Sequence, residues 1–195
     1  MFLSLHRLIQ CTRWSVVMVC LCSFSFTTGC AISKKACLQD DWQTRGYTDG
    51  RAGTSPDVLS AYAKKCGKYG VTPDPTAYQA GFDVGVVEYC TPEKGYRAGR
   101  DDKAYNSVCP VELERGFLQS YVSGLNTAFD DLAFEYDNDD FRLDTLRDER
   151  ARLNADGVST SKLNKRIKSL ESSMRRNVSK RRSIRNKIRE WEAQL

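Results

Sequence analysis

Two runs of apolar residues spaced three and four apart dominate the last third of the chain. The first run predicts a helix along residues 129–153, and the second predicts a helix along residues 163–195. Spacing of this kind, sustained over several heptads, is typical of a coiled coil. Asp156-Gly157 lies between the runs and predicts a turn, and Ser159 or Ser161 is a candidate N-cap for the second helix. The pattern predicts a long antiparallel helical hairpin over residues 126–195.

Four positions of the predicted seam are polar. Asp139 and Arg150 interrupt the first run, and Asn177 and Arg181 interrupt the second. A polar residue at a core position of a coiled coil can set the register of the pairing. Asn177 and Arg181 therefore have two interpretations: they set the register of the hairpin, or they leave room for a partner chain.

The middle of the chain repeats a pentad that begins and ends with glycine. It occurs as GYTDG at 46–50, GFDVG at 81–85 and GYRAG at 95–99, with a weaker copy, GFLQS, at 116–120. Glycine inside a helix costs about 1 kcal/mol relative to alanine. Glycines four apart share one helix face and let another backbone come close, so the repeat predicts short helices packed tightly in a small core.

Dipeptides that end in proline predict where three of these helices start. Ser55-Pro56, Asp74-Pro75 and Thr91-Pro92 each place a capping residue before a proline at the first helical position. Gly67 is a candidate C-cap for the first of these helices. We expect an all-α fold with little or no sheet.

An alternative interpretation of the same segment is a ligand groove lined by aromatic residues and glycine. Tyrosine offers a large contact area with one polar end, which suits a glycan or a peptide of the cell wall. This alternative makes the chain a cell-wall binding module. Its candidate contact residues are Trp42, Tyr47, Tyr78 and Tyr96.

The first thirty residues have the features of an export signal. Residues 1–13 contain basic side chains and no acid, and residues 14–26 are uncharged and mostly apolar. The apolar run is short for a membrane span, which takes about 20 residues. Thr27-Thr28-Gly29-Cys30 resembles the lipobox of bacterial lipoproteins. The resemblance implies removal of residues 1–29 and a membrane anchor of acyl chains, palmitate among them, on Cys30.

The residue after Cys30 indicates the membrane to which a lipoprotein would be sorted. Ala31 stands there instead of aspartate, which resembles the sorting signal for the outer membrane. We therefore expect an outer-membrane lipoprotein that faces the periplasm, with cell-surface exposure as the less favoured location. Export argues against nucleic acid as the partner of the basic C-terminal stretch.

The cysteine count changes once the signal is set aside. Of the eight cysteines, Cys11, Cys20 and Cys22 leave with the signal and Cys30 takes the lipid. Four cysteines in an oxidising compartment allow two disulfides in three connectivities, and we prefer sequential pairing. A straight helix over residues 92–106 would hold the second pair too far apart, so sequential pairing predicts a break near Gly99. The preferred bridges are Cys37–Cys66 and Cys90–Cys109.

Catalysis and metal binding have little support. His6 is the one histidine and lies in the signal, so the mature chain has no histidine for a Ser-His-Asp triad, a Cys-His pair or a His-rich metal site. The remaining cysteines contain no CxxC pair. No carboxylate pair stands out by its spacing. We therefore expect a protein that is not an enzyme and that holds no metal and no cofactor.

Charge divides the predicted hairpin into an acidic and a basic arm. Residues 126–157 hold ten acids and four bases, a net charge of −6, and residues 158–195 hold twelve bases and three acids, a net charge of +9. Opposite charges predict attraction along the flanks of the seam. The basic excess near the C-terminus also suits an anionic envelope polymer, lipid head groups or an acidic partner helix. We expect residues 126–195 to bind an envelope protein or a second copy of the chain.

The order of motifs in the middle segment resembles a known family. It reads W-x3-G-Y-x-D-G-x2-G, then L-x2-Y-x3-C, then Y-x2-G-x3-G-x3-Y-C-T-P, then G-Y-x2-G-x5-Y-x2-V-C-P. This resembles the bacterial lipoproteins that share domain of unknown function 2799, over roughly residues 30–125. The family often has a second glycine near position 102, and this chain has Asp102. The resemblance implies location and fold, and no mechanism.

These features divide the chain into three parts. Residues 1–29 are the predicted lipoprotein signal peptide, residues 30–125 the disulfide-linked helical domain with the Gly/Tyr repeats, and residues 126–195 the coiled-coil hairpin arm. The predicted function is a structural or protein-interaction role at the cell envelope, exerted through the coiled coil.

Overall fold

The computed structural model describes residues 32–39 and 41–195. The predicted signal peptide and Cys30 lie outside the described residues. Within them the chain forms seven α-helices and no strand, which confirms the all-α prediction. The helices are α1 Lys34–Gln39, α2 Trp42–Arg51, α3 Val58–Cys66, α4 Pro75–Tyr89, α5 Pro92–Arg100, α6 Val111–Ala155 and α7 Ser161–Glu192.

Two of the three predicted Pro-marked starts are confirmed. The Asp74 carboxylate accepts hydrogen bonds from the backbone amides of Thr76 and Ala77 at the start of α4. The Thr91 hydroxyl accepts one from the amide of Lys94 at the start of α5. The third start differs by two residues, because Pro56 and Asp57 form a turn and α3 begins at Val58.

The helix ends also follow the predicted breakers closely. Gly67 caps the end of α3 and starts a short 3₁₀ turn, Gly67–Tyr69, while the left-handed backbone belongs to Gly70, with φ of 74°. Gly157 makes the hairpin turn in the same conformation, with φ of 70°. The N-cap position of α7 is Thr160, which lies between the two serines that were candidates.

Glycines hold α2 and α4 together as a parallel pair. Gly46 packs directly against the backbone of Tyr78, and Gly50 packs directly against the backbone of Phe82. In return, Gly81 lies on Gln43 and Gly85 lies on Tyr47. A β-carbon at any of these four glycines would overlap a carbonyl oxygen of the other helix. The close packing of short helices expected from the pentads is therefore present.

A second parallel pair, α5 with α6, repeats this arrangement. Gly95 and Gly99 of α5 lie on the carbonyls of Phe117 and Tyr121, and Gly124 of α6 lies on the carbonyl of Tyr96. The weak pentad copy behaves differently, since the nearest atom to a β-carbon at Gly116 would be a side-chain carbon of Pro92, 3.9 Å away. The sequence repeat thus corresponds to two glycine-packed helix pairs.

Two disulfides close this part of the fold. Cys37 bonds to Cys66, with their α-carbons 5.3 Å apart, and so ties α1 to the end of α3. Cys90 bonds to Cys109 across α5, with α-carbons 5.5 Å apart. These are the two pairs preferred from the sequence. The second bridge is possible because α5 ends at Arg100 and the chain turns back, with left-handed backbone at Asp102.

One long helix joins the disulfide-linked domain to the hairpin arm. Helix α6 has 45 residues and runs unbroken from Val111 to Ala155. The boundary drawn between residues 125 and 126 therefore falls inside α6, whose first part packs on α5 and whose remainder packs on α7. Leu143 of α6 is buried against α7 residues in a core of its own, which also contains Leu163, Ile167 and Met174.

The end of α7 returns to the disulfide-linked domain and packs into its core. Ile184 is fully buried, and the ring of Trp191 lies 5.2 Å from that of Tyr105 and 6.2 Å from that of Tyr121. The arm thus has one end fixed in the main core and the other at the Gly157 turn. Over its 32 residues α7 extends about 48 Å, at about 1.5 Å of rise per residue.

Candidate functional site

The glycine faces that suggested a ligand groove are occupied by helix backbone. Tyr78, one of the four candidate contact residues, has only 1 % of its surface exposed, so its proposed role in ligand contact is wrong. Its hydroxyl donates a hydrogen bond of 2.9 Å to the buried carboxylate of Asp49. Burial and this carboxylate raise the pKa of Tyr78 far above its ordinary value. Tyr78 and Asp49 form a buried link between α2 and α4.

The other three candidates lie at the surface of the helix pairs but do not converge. Trp42 is half-buried against the core and its ring lies 6.3 Å from that of Tyr62. The Tyr47 hydroxyl donates to Glu88 at 2.7 Å, and the Tyr96 hydroxyl donates to Thr127 at 3.3 Å. Tyr47 and Tyr96 therefore each fasten their own helix pair, Trp42 packs on α3, and the structure does not bring the four together around one groove.

A polar cleft does lie where the two glycine-packed pairs meet. It has a volume of about 580 Å³, and Tyr89 and Ala98 contribute to its wall. Its charged lining residues are Arg51, Lys94, Arg97, Asp101 and Lys103, so bases outnumber acids. Several of these charges are already paired at exposed positions, Lys103 with Asp101 at 2.8 Å among them. The cleft suits an anion better than a sugar, and its aromatic lining is limited to Tyr89.

The outer side of α6 in the arm carries two exposed phenylalanines. Phe134 is 71 % exposed and Phe141 is 76 % exposed. They lie seven residues apart, close to two helical turns, and therefore share one face. Leu143, which belongs to the seam with α7, is only 4 % exposed, so this second apolar face points away from the hairpin's own core. Neither phenylalanine was expected to matter from the heptad pattern, because both fall outside the a and d positions.

Acidic residues surround the two phenylalanines. Asp130, Asp137 and Asp148 lie on the same side of α6 and are exposed. We define these three residues, with Phe134 and Phe141, as the outer face of α6. Exposed aromatic side chains framed by charge are typical of surfaces that bind another protein.

The basic helix α7 leaves most of its charge unpaired with α6. Over the described residues, the one ion pair that crosses between the two arms joins Arg147 of α6 to Glu171 of α7, at 3.0 Å. In this pair the base belongs to the acidic arm and the acid belongs to the basic arm. Arg142 of α6 pairs with Asp139 of its own helix, and Arg147 pairs with Asp144 of its own helix in addition to Glu171. The predicted attraction between the arms is thus realised in few direct contacts.

The polar residues of the seam are only partly satisfied. The Asn177 amide donates to the carbonyl of Leu132 at 2.9 Å, while its own oxygen has no hydrogen-bond partner among the described residues. The Arg181 guanidinium stacks on the ring of Phe129 at 4.8 Å, and its buried Nε is likewise without a hydrogen bond. Asn177 lies opposite Leu132 of α6, which agrees with a role in setting the register of the hairpin.

An ion pair that sequence analysis missed fastens α7 to the disulfide-linked domain. Lys187 donates to the carboxylate of Asp102 at 2.6 Å. Asp102 has a positive φ of 55°, the conformation that favours glycine. Its partner lies 85 residues further along the chain, so no local sequence pattern indicated the pair. The charge of Asp102 also adds to burial in raising the pKa of Tyr121 to about 12.

The described residues offer no site for a metal and no membrane span. No group of three or more histidine, cysteine, aspartate or glutamate side chains is placed to hold an ion in this part of the chain. Among residues 32–39 and 41–195, no helix combines the length and apolar character needed to cross a membrane.

Comparison with known proteins assigns the middle segment to a family. Residues 41–126 match the model of a family described as a protein of unknown function, DUF2799. We refer to the matched segment as the DUF2799 domain. No curated protein matches the chain, and no solved structure does.

The DUF2799 domain corresponds to the two glycine-packed helix pairs. Its bounds take in α2 to α5 and the first part of α6, and with them Cys66, Cys90 and Cys109. Helix α1 with Cys37, the outer face of α6 and the whole of α7 lie outside the matched segment. The arm therefore lies almost entirely outside the matched segment, and the family's description names no activity.

Proposed function

We propose that this chain is a lipid-anchored protein of the cell envelope whose helical arm binds another protein. The DUF2799 domain is the base of the arm in this proposal: two disulfides and seven close glycine contacts between helices hold it together, and the core contacts of Trp191 fix the end of α7 on it. The lipobox-like Thr27-Thr28-Gly29-Cys30 supports the anchor. The paired cysteines support an oxidising compartment.

The exposure of Phe134 and Phe141 is the observation that carries the binding role. A helix that needs only to pack on its neighbour has no reason to place two aromatic rings on its solvent side, where each leaves a large apolar area in contact with water. Aromatic residues are also the type that most often dominates binding energy at protein interfaces. The proposal therefore assigns partner binding to the outer face of α6.

The two halves of the proposal are tested in one experiment on solubilised membranes. Cells expressing the full chain are fractionated, and the membrane extract is run on a native gel in mild detergent. We expect wild-type protein to be in the membrane fraction and to migrate as a complex larger than one chain. Cys30→Ser should leave the protein unprocessed or soluble, and the double variant Phe134→Ser, Phe141→Ser should stay in the membrane fraction but migrate as a single chain.

The matched control changes two exposed apolar residues outside the arm. Val84 and Val87 of α4 are 61 % and 51 % exposed, so Val84→Ser with Val87→Ser removes a similar feature from the DUF2799 domain. Its complex should be unchanged. A wild-type protein that migrates as a single chain, or a Cys30→Ser protein that is processed and membrane-bound as before, would contradict the corresponding half of the proposal.

A further inference from the structure

We infer that the protein bound by the arm is a second copy of this chain, with the outer face of α6 in each copy lying against the basic helix α7 of the other. The inference rests on the proposed function, because it names the partner of the same surface. The inference follows from two surfaces of one chain that are complementary in charge and shape but do not contact each other within that chain.

The outer face of α6 requires a partner that is both apolar and basic. Its centre consists of the rings of Phe134 and Phe141, and its flanks carry the exposed carboxylates of Asp130, Asp137 and Asp148. None of these three carboxylates has an ion pair within the described part of the chain. An acidic or uncharged apolar partner would leave them facing like charge or desolvated without a counter-charge.

Helix α7 carries a surface of matching chemistry. Val178 is 42 % exposed, and Arg175 and Arg182, three residues before it and four residues after it, lie on the same side of the helix. We define Arg175, Val178 and Arg182 as the basic face of α7. Both arginines are exposed and neither has an ion pair within the described residues. The basic face therefore repeats, with opposite sign, the apolar centre and charged flanks of the outer face of α6.

A groove beside the basic face has room for the aromatic rings. It lies between α6 and α7, has a volume of about 550 Å³, and includes Val178 and Arg175 in its lining together with Tyr136 and Met174. This volume accommodates a phenylalanine side chain from outside. The thioether of Met174 and the ring of Tyr136 supply apolar contacts for it.

The two surfaces cannot satisfy each other within one molecule. Phe134 and Phe141 point away from the seam in which Leu143 is buried, so α6 cannot turn its outer face toward its own α7. A second copy supplies both surfaces at once. The contact between the outer face of α6 and the basic face of α7 is then formed twice around a two-fold axis, which closes the assembly at two chains.

The test measures the mass of the assembly with pairs of charge variants. The full chain, as processed by the cell, is purified from membranes in mild detergent and its protein mass is followed by sedimentation against concentration and salt. We expect a dimer that weakens as salt rises. Asp130→Lys with Asp137→Lys, or Arg175→Glu with Arg182→Glu, should each weaken the dimer by about ten-fold or more.

Mixing the two charge variants gives the decisive result. In the mixed pair the altered α6 faces an altered α7 and the unaltered α6 faces an unaltered α7, so both contacts again join opposite charges. We expect a dimer of one chain of each variant, with affinity restored. The pair Val84→Ser, Val87→Ser serves as the control and should dimerise as the wild type does, and circular dichroism of each variant reports whether it is folded.

Two outcomes overturn the inference. One is wild-type protein that stays a single chain at about 100 µM in low salt, and the other is a pair of charge variants that are each weakened but do not recover on mixing. If the protein is a single chain and yet forms a larger complex in native gels of solubilised membranes, the second copy is excluded and the proposed binding role stands. If both measurements show a single chain, the proposed binding role fails as well.

Discussion

At the scale of single residues, the glycines of the pentads are specified by the neighbouring backbone. Gly46, Gly50, Gly81 and Gly85 each face a carbonyl of the other helix of their pair, and Gly95, Gly99 and Gly124 repeat this in the second pair. The sequence predicted close approach, because a glycine inside a helix is otherwise unfavourable. It did not predict which helix approaches, since the paired glycines lie about 35 residues apart in α2 and α4 and contact between them depends on the chain's path.

A pair of glycine substitutions tests this account. In Gly46→Ala the new β-carbon would overlap the carbonyl oxygen of Tyr78, so the helices must separate, and we expect the free energy of unfolding to fall by about 3 kcal/mol or more. In Gly116→Ala the nearest atom is 3.9 Å away, and we expect a gain of about 1 kcal/mol from helix propensity. Denaturant unfolding of both variants measures the difference. Equal effects would mean that α2 and α4 are not packed on their glycines.

At the scale of helices, the hairpin was predictable and its attachment was not. The apolar spacing and Asp156-Gly157 indicated two helices and a turn, and the structure has helix ends at Ala155 and Ser161. The contact of Lys187 with Asp102 has no sequence pattern, because it joins a loop of the DUF2799 domain to the last part of α7. The outer face of α6 was not predicted, although Phe134 and Phe141 lie seven residues apart in the sequence. The heptad pattern selects only residues at the a and d positions, and both phenylalanines lie on the opposite side of the helix.

The attachment of α7 can be tested at Lys187. Lys187→Met keeps the apolar stem and removes the charge, leaving the partly buried carboxylate of Asp102 without its partner, and we expect the last turns of α7 to lose about 1 kcal/mol of local stability. Amide hydrogen exchange over residues 184–191 should become faster, while exchange around Leu163 and Ile167 stays unchanged. Lys180→Met is the matched control, because Lys180 is exposed and has no ion pair in the described chain.

At the scale of the whole molecule, a rigid base and a charged arm are combined in one continuous helix. Helix α6 begins in the DUF2799 domain and ends at the tip of the arm, so a force or a partner on the arm acts directly on the disulfide-linked core. The sequence predicted both parts, because cysteines, glycines and heptads are local signals. It could not predict that Tyr78 is buried or that α7 returns to the core, because both depend on contacts between distant segments.

The central claim is that the outer face of α6 binds a protein in the cell. The most direct measurement places a photoreactive amino acid at position 141 of the full chain, irradiates living cells and determines the mass of the product. We predict one adduct of defined mass at position 141, with the mass of two chains if the partner is a second copy, and no such adduct from position 87 in the DUF2799 domain. The absence of an adduct at 141, or the same adduct from both positions, would contradict the claim.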